Sequence, residues 1–510
     1  MITVKPEQCT GCGLCAENCP IGAIEIKEIA SISTECVECS LCVTLCPNDA
    51  LVLIRDQVDG DDVVVCDHCP IGCRLKEGGL GACKRYKRRG NNIEKVRPLF
   101  IPPPPSLEQI RKEALIGHPV TTAVGAGTTY PDYVPCPYVT VDQRDSFEVV
   151  TAVTEAPITY SSILLKVDTQ EFIGNEGACV RHKGRVVGHV CTELYGSKMI
   201  SIGGINFMKS KNKVAVTRLM VTILNGEPFE ISIDEGAKLS LQLGKPPIID
   251  GEEYRATKVG CGAAILGMLG PRLKDIADEV IILDSDITGL LSQSHVGKLL
   301  GYRESGITPV GTYASPGRFF GDHGEGWGGT PVKDPREAIA HVDKSKVFPG
   351  MKVLILEVTG DHAAMLEMND NGEFQIVELP QRARELQLWI RENRETSQLS
   401  VLYVGGAGGS LRSGITNFPL ALTKAVHEGK VILSVGGVRA FVLPGAGINF
   451  IVDVAKMPWR PFNWVPSPAV VAPIEFTMLK KVYFELGGHQ RELVLLDDLL
   501  KQRESKTDAS

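Results

Sequence analysis

Near the start of the chain two short apolar runs, Ala23-Ile24-Glu25-Ile26 and Ala50-Leu51-Val52-Leu53, follow two cysteine-rich stretches and predict short strands. Between residues 138 and 232 the pattern turns β-branched, and Phe147-Glu148-Val149-Val150-Thr151-Ala152-Val153 and Lys213-Val214-Ala215-Val216-Thr217 read as strands divided by Gly, Pro and Asn turns. Beyond residue 250, apolar runs at 280–283, 352–356, 401–404 and 431–435 alternate with helical patterns, as buried strands of α/β units do. No solenoid-like period is visible. Residues 302–330 show no obvious element but are dense in glycine, aromatic and polar residues, and a loop of that kind is commonly functional.

Composition narrows the class without naming a function. The 510 residues are 43% hydrophobic and 23% charged, as expected of a soluble protein of several domains. A net charge of -7 argues against nucleic acid as a partner. The apolar stretches are broken by Gly, Pro or charge before they reach membrane-spanning length, and no signal-peptide region precedes Cys9, so a cytoplasmic protein is expected.

Cysteine placement carries the chemistry. Twelve of the 16 cysteines lie in the first 83 residues, and clustered thiolates in a large chain of this type read as metal ligands rather than as a disulfide framework. Cys9, Cys12, Cys15 and Cys19 before Pro20, and Cys36, Cys39, Cys42 and Cys46 before Pro47, both spell C-x2-C-x2-C-x3-C-P. In such a run three thiolates wrap one corner of a cubane while the fourth points to the neighbouring cluster. Cys9, Cys12, Cys15 and Cys46 are thus assigned to one [4Fe-4S] cluster, and Cys36, Cys39, Cys42 and Cys19 to the other. Paired zinc knuckles normally lack the triple spacing. Residues 1–55 resemble a bacterial-type ferredoxin with two such clusters.

A third set, Cys66, Cys69, Cys73 and Cys83, has different spacing and suits either structural zinc or a further iron–sulfur cluster, with His68 a bystander. Gly78, Gly79 and Gly81 let the backbone fold closely around a metal. Lys84, Arg85, Lys87, Arg88 and Arg89, with Lys95 and Arg97, form either a solvated basic face or a docking patch for an acidic electron donor such as ferredoxin. Pro102 to Pro105 make a stiff connector.

In the body, Gly405, Gly406, Gly408 and Gly409 follow an apolar run and either turn the chain or offer N–H groups to a cofactor phosphate; neither a dinucleotide fingerprint nor a P-loop is present. In the 302–330 segment Arg303 and Arg318 are candidates to hold a carboxylate and His323 to transfer a proton. The cluster Arg181-His182-Lys183-Gly184-Arg185 between Cys179 and Cys191 is not expected to bind metal.

The double ferredoxin motif, the EGGLGAC module, GDHGEGWGGTP and WVPSPAVVAPIE together resemble the 6-hydroxynicotinate reductases along essentially the whole chain. The resemblance implies a ferredoxin-dependent enzyme with two [4Fe-4S] clusters, one [2Fe-2S] cluster at the third cysteine set, zinc being the alternative there, and a covalently held flavin. A flavinylation motif is not legible: Asp286-Ile287-Thr288-Gly289 lacks its Ala-Thr, and Cys261, His323 or a tyrosine stay open as attachment points. The implied reaction reduces 6-hydroxynicotinate to 1,4,5,6-tetrahydro-6-oxonicotinate. In the 6-oxo tautomer C4 is the β-carbon of an unsaturated lactam, so hydride adds there while an acid protonates C5, a donor stabilises the ring oxygen and an arginine holds the 3-carboxylate. The rival readings are an enzyme on the same scaffold that reduces another N-heterocycle or an unsaturated acid, and a non-catalytic electron-transfer subunit.

The expected fold is multidomain α+β. It comprises a 2[4Fe-4S] ferredoxin-like domain at 1–60, a four-cysteine module at 61–100, a Pro-rich connector at 101–125, a β-rich region at 126–250 and an α/β catalytic region at 251–510. Expected partners are ferredoxin and a small heteroaromatic carboxylate, with neither nucleic acid nor membrane; assembly as a homo-oligomer is left open.

Overall fold

The computed structural model describes residues 1–54, 62–67, 71–82, 84, 86–96, 121–123, 138–144, 146–157, 162–193, 196–208, 210–315, 318–320, 322–403, 406–457, 460–465, 469–498 and 501. Most of the connector at 101–125, with Pro102 to Pro105, lies outside them. The chain groups into two compact units, Met1–Pro104 with Lys258–Arg394, and Pro105–Thr257 with Glu395–Ser510. The stretch expected as one region from 251 onward is therefore shared between the units.

In the first unit, residues 1–54 repeat one small motif. Strand Ile2–Val4 pairs antiparallel with Leu51–Leu53, and Ile24–Ile26 pairs antiparallel with Ala30–Ile32. Short helices Leu14–Glu17 and Leu41–Leu45 carry cysteines of the two runs. The buried apolar set is small: Ile2, Ile24, Ala30 and Leu51, with Cys15 and Cys42. Apolar burial on this scale does not hold a segment of about 55 residues unaided.

Residues 258–394 form a five-stranded sheet in the order Gly289–Leu290, Glu279–Leu283, Lys352–Glu357, Ala363–Met368, Phe374–Val377. Glu279–Leu283 and Lys352–Glu357 run parallel, with Leu283 opposite Glu357. Helices Gly262–Leu273 and Gln381–Glu392 bury Ile265, Leu266, Leu269, Ala383, Leu386 and Ile390 in a core with Val280, Ile282, Leu354 and Leu356. Ile281, Leu283, Val353 and Ile355 belong to another core with Val332 and Ala338. Covering on both faces explains why these strands read as unbroken apolar runs. The 302–330 segment departs from the expected element-free loop. It contains strands Ile307–Pro309, Thr312–Ser315 and Arg318–Phe320 and a single turn at Trp327–Gly329. Strands of three or four residues are too short for alternation to reveal.

The second unit is β-rich, with a thirteen-stranded and a seven-stranded sheet among the described residues. Phe147–Pro157 is a strand as expected, but Lys213–Leu224 is a helix. Its buried residues Val216, Leu219, Met220, Ile223 and Leu224 follow helical spacing, which a five-residue window of β-branched residues conceals. It packs on strand Ser197–Gly203 of one sheet and Ala469–Leu479 of the other. The apolar runs at 401–404 and 431–435 join these sheets, Leu399–Tyr403 antiparallel to Ser162–Asp168 and Val431–Val435 antiparallel to Ala469–Leu479. An α/β reading of 251–510 thus fits the pair at 279–283 and 352–357; the run at 401–404 has one parallel neighbour, Thr121–Ala123, while the run at 431–435 is antiparallel to both of its neighbours. Apolar continuity reports burial on both faces, not the direction of the partner strand.

One buried carboxylate joins the parallel strands to their covering helix. Asp284, fully buried, accepts from Lys258 Nζ at 3.0 and 3.1 Å, from Gly262 N–H at 3.0 Å and from Asp286 N–H at 3.1 Å. Lys258 also pairs with Asp286. Burial by itself lowers the Lys258 ammonium, but the two carboxylates outweigh it and hold its pKa above the ordinary lysine value. Asp284→Ala is expected to destabilise the fold by about 1–3 kcal/mol, since it leaves two buried N–H groups without an acceptor and Lys258 with Asp286 as its remaining carboxylate. A lowered thermal unfolding midpoint checks this.

Candidate functional site

The two cysteine runs fold alike because three backbone positions match at the 27-residue offset. Gly11 and Gly13 have φ of 63° and 82°, and the equivalent Glu38 and Ser40 have 56° and 61°; Gly22 (69°) is matched by Asp49 (49°). Left-handed backbone at residues with a side chain costs on the order of 1–3 kcal/mol and persists only where the surroundings dictate it. The sulfurs are held by N–H groups in the same repeated way, Ala23 to Cys19 at 3.2 Å and Ala50 to Cys46 at 3.3 Å. Ala30 N–H donates to Cys9 Sγ at 3.4 Å.

Cys9, Cys12, Cys15 and Cys46 line one small hollow, partly open to solvent. The fourth cysteine of the second run thus joins the first three of the first. Cys19 acts on Cys36 and Cys39, and Cys36, Cys39 and Cys15 act on Cys42, so the two runs stand close together. Burial, reinforced by neighbouring thiols, pushes Cys42 up to about 12 and also raises Cys15, Cys36 and Cys39. Among the described residues no three His, Cys, Asp or Glu side chains converge on a single ion. The eight cysteines of the two runs form no disulfides. Soft sulfur donors around a hollow, in a setting that disfavours bare thiolates, fit iron–sulfur cubanes, whose iron supplies the missing positive charge.

Of the third set, Cys66 and Cys73 are described and buried, while Cys69 and Cys83, like His68, lie outside the described residues. Cys66 N–H donates to Cys73 O at 2.8 Å across the ladder of Val64–Val65 and Arg74–Leu75. Both cysteines pack with Val37 and Leu75, against Ile21 and Cys39 of the ferredoxin-like part. The basic run is not uniformly a surface. Arg88 is only 6% exposed and donates to Asp62 O and Gly90 O at 2.7 Å and to Leu75 O at 3.3 Å, so it closes the module from inside. Arg89 pairs with Glu94 at 3.2 Å. Arg85 and Arg97 lie outside the described residues.

The body candidates are dispersed. Arg303 is exposed beside an open hollow lined also by Lys274, Tyr302, Glu304 and Lys346, and His323 is not in that lining. Arg318 begins strand Arg318–Phe320, and His323 is half-buried just after it. Gly406 and Ala407 pair with Asn449 and Ile448, Gly408 and Gly409 open the seven-residue helix Gly409–Ile415, and Gly405 lies outside the described residues. Thr288 is buried and donates to Asp284 O at 2.9 Å, and Cys261 caps helix Gly262–Leu273. These observations do not fit any of these groups to a flavin. Arg181 pairs with Asp234 at 2.6 Å.

A denser constellation stands where the parallel strands end. Glu357, at the end of Lys352–Glu357, accepts from Gly328 N–H at 2.9 Å through Oε1 and shares a hydrogen bond of 2.5 Å between Oε2 and His362 Nδ1. The His362 ring stacks on Trp327, with centroids 5.1 Å apart and planes 17° from parallel. Ser285 N–H donates to Gly328 O at 3.1 Å, while Ser285 Oγ is buried with no partner among the described residues. Gly328 has φ of 63°, and a Cβ there would meet Leu283 O at 2.2 Å, so only glycine brings this turn onto the strand end.

The 4Fe-4S binding domain family matches residues 2–25. The 6-hydroxynicotinate reductase of Eubacterium barkeri is 41% identical over 495 residues, which span 97% of this chain and 99% of that relative. The chain belongs to the 6-hydroxynicotinate reductase family. It is an oxidoreductase whose ferredoxin-like N-terminal part binds [4Fe-4S] iron–sulfur. No solved structure matches it. Among the described residues no helix is long and apolar enough to cross a membrane.

Sequence reasoning missed Lys258, Asp284, Glu357 and His362. One signal was available: Gly-Asp-His occurs at 321–323 and again at 360–362, and only the first occurrence stood in an unusual segment. The interleaving of the runs yields a test. Cys19→Ser is expected to degrade the cluster of Cys36, Cys39 and Cys42 and leave that of Cys9, Cys12, Cys15 and Cys46. Iron analysis and low-temperature EPR check this: loss of about four irons with one cubane signal retained is the expected result.

Proposed function

We propose that the chain catalyses ferredoxin-dependent reduction of 6-hydroxynicotinate to 1,4,5,6-tetrahydro-6-oxonicotinate. The observation that carries this reading is the pair of interleaved cysteine quartets at the head of a chain similar throughout its length to a 6-hydroxynicotinate reductase. Cys9, Cys12, Cys15 and Cys46 hold one [4Fe-4S] cluster in this proposal, and Cys36, Cys39, Cys42 and Cys19 the second. Cys66, Cys69, Cys73 and Cys83 hold a [2Fe-2S] cluster. Packing of Cys66 and Cys73 against Val37 and Cys39 supports that choice over zinc, because it sets the module directly beside an electron-carrying quartet. When bound, the clusters pass single electrons and a flavin, the remaining cofactor of the reading, pairs them for reduction of the ring.

The chain's own residues bind and orient the substrate. Arg318 is the proposed bidentate partner of the 3-carboxylate. Loss of aromatic character in the ring calls for a strongly reducing donor, which one-electron ferredoxin chemistry supplies.

Anaerobically purified protein is expected to contain about ten irons per chain, four, four and two, without stoichiometric zinc. Eight irons with one zinc would make the third set structural. Reduced ferredoxin or a reduced viologen is expected to bleach the ultraviolet band of 6-hydroxynicotinate, with NADH alone far slower. Arg318→Lys is expected to raise KM by the equivalent of about 1–3 kcal/mol with little change in kcat. Cluster-replete, flavin-containing protein that leaves 6-hydroxynicotinate unchanged would overturn the substrate.

A further inference from the structure

We propose that His362, oriented by Glu357 and Trp327, is the acid that protonates the substrate ring; this rests on the reductase reading above. Glu357 stands at the carboxyl end of a parallel strand, next to the end of Glu279–Leu283, and ligands of α/β sheets bind outside such strand ends. Its side chain is 10% exposed, and both oxygens are used: Oε1 by Gly328 N–H, Oε2 by His362 Nδ1. A buried carboxylate fixed in this way holds the imidazole in the tautomer with Nδ1 protonated, which makes Nε2 the atom that takes and gives a proton.

The other features of the dyad fit proton delivery better than a structural lock. The His362 side chain is 57% exposed although its partner is buried, so Nε2 is open to a ligand and to water. Among the described residues Nε2 has no hydrogen-bond partner. Trp327 fixes the ring plane by stacking, and the Gly326–Gly329 turn that carries Trp327 is the same turn whose Gly328 N–H fixes Glu357. The hairpin turn before His362 is anchored independently, Asp361 accepting from Arg394 at 2.8 Å. Ser285 Oγ, 2% exposed and unpartnered, lies on the residue bonded to Gly328 O, so an unmet donor stands beside the same turn.

Saturating the C4–C5 double bond of the 6-oxo ring takes up two electrons, from two one-electron ferredoxin donors, and two protons. One proton arrives at C4 with the electron pair. The other is the Nε2 proton of the His362 imidazolium, formed by taking a proton from solvent at Nε2: the N–H bond breaks with its electrons left on nitrogen, a C–H bond forms at C5 from the enolate pair, and the neutral Nδ1-protonated imidazole takes its next proton from solvent. His362 is thus the acid, and Glu357 and Trp327 are positioning residues.

The test uses the cluster-replete holoenzyme with reduced ferredoxin. His362→Gln is expected to lower kcat at least about 100-fold, while 6-hydroxynicotinate still binds, by calorimetry, as it does to the unaltered enzyme and dithionite still bleaches the clusters. In the unaltered enzyme, 6-hydroxynicotinate is expected to shield His362 from diethyl pyrocarbonate, read by peptide mass mapping. A His362→Gln enzyme with kcat near that of the unaltered enzyme, or one that loses substrate binding together with turnover, would overturn the proton-donor role. Undiminished labelling of His362 in the presence of substrate would do the same without any variant. If the unaltered enzyme itself fails to turn over 6-hydroxynicotinate, the substrate reading falls instead.

Discussion

Sulfur atoms packed together under backbone cannot remain as thiolates unless a cation joins them. In the head of this chain that constraint organises everything else. Burial and mutual repulsion raise Cys42 to about 12, so the quartet is a poor set of free anions and a good set of iron ligands. The hollow lined by Cys9, Cys12, Cys15 and Cys46 brings cysteines of both runs together in a segment whose apolar core is small. The left-handed backbone at Glu38, Ser40 and Asp49 is tolerated because the cysteine loops must repeat a geometry that Gly11, Gly13 and Gly22 adopt at little cost.

The strand ends of the body obey a related rule. Asp284 and Glu357 are carboxylates taken out of water, and each is balanced by a full set of donors rather than left to chance. Around Asp284 the donors are an ammonium and helix or turn N–H groups, and the arrangement is closed: it holds strand, loop and helix together. Around Glu357 one donor is an imidazole whose other nitrogen stays accessible. The same chemistry thus serves fastening in one place and a reactive group in the other, and the difference lies in what the donor leaves exposed.

Much of this was legible in the residues. Spacing and proline position mark the first cysteine run as an iron–sulfur motif, and the 4Fe-4S binding domain family matches there. The apolar runs at 280–283 and 352–356 marked doubly covered strands. Spacing failed where a short window was ambiguous, as at Lys213–Leu224, and charge pattern failed at Arg88, a cation that turned out to be a buried tie between carbonyl groups.

By itself the sequence determined the chemistry of the head, since ligand spacing is local and the thiolates that meet lie within a few tens of residues. It could not determine which distant polar residues meet in the body. Lys258 finds Asp284 across 26 residues, and Gly328 finds Glu357 across 29, through a parallel strand pair whose register no local pattern encodes. Tertiary structure alone decided that of two Gly-Asp-His segments the second sets its histidine between a buried carboxylate and a tryptophan, because strand pairing and close glycine packing bring those three groups together.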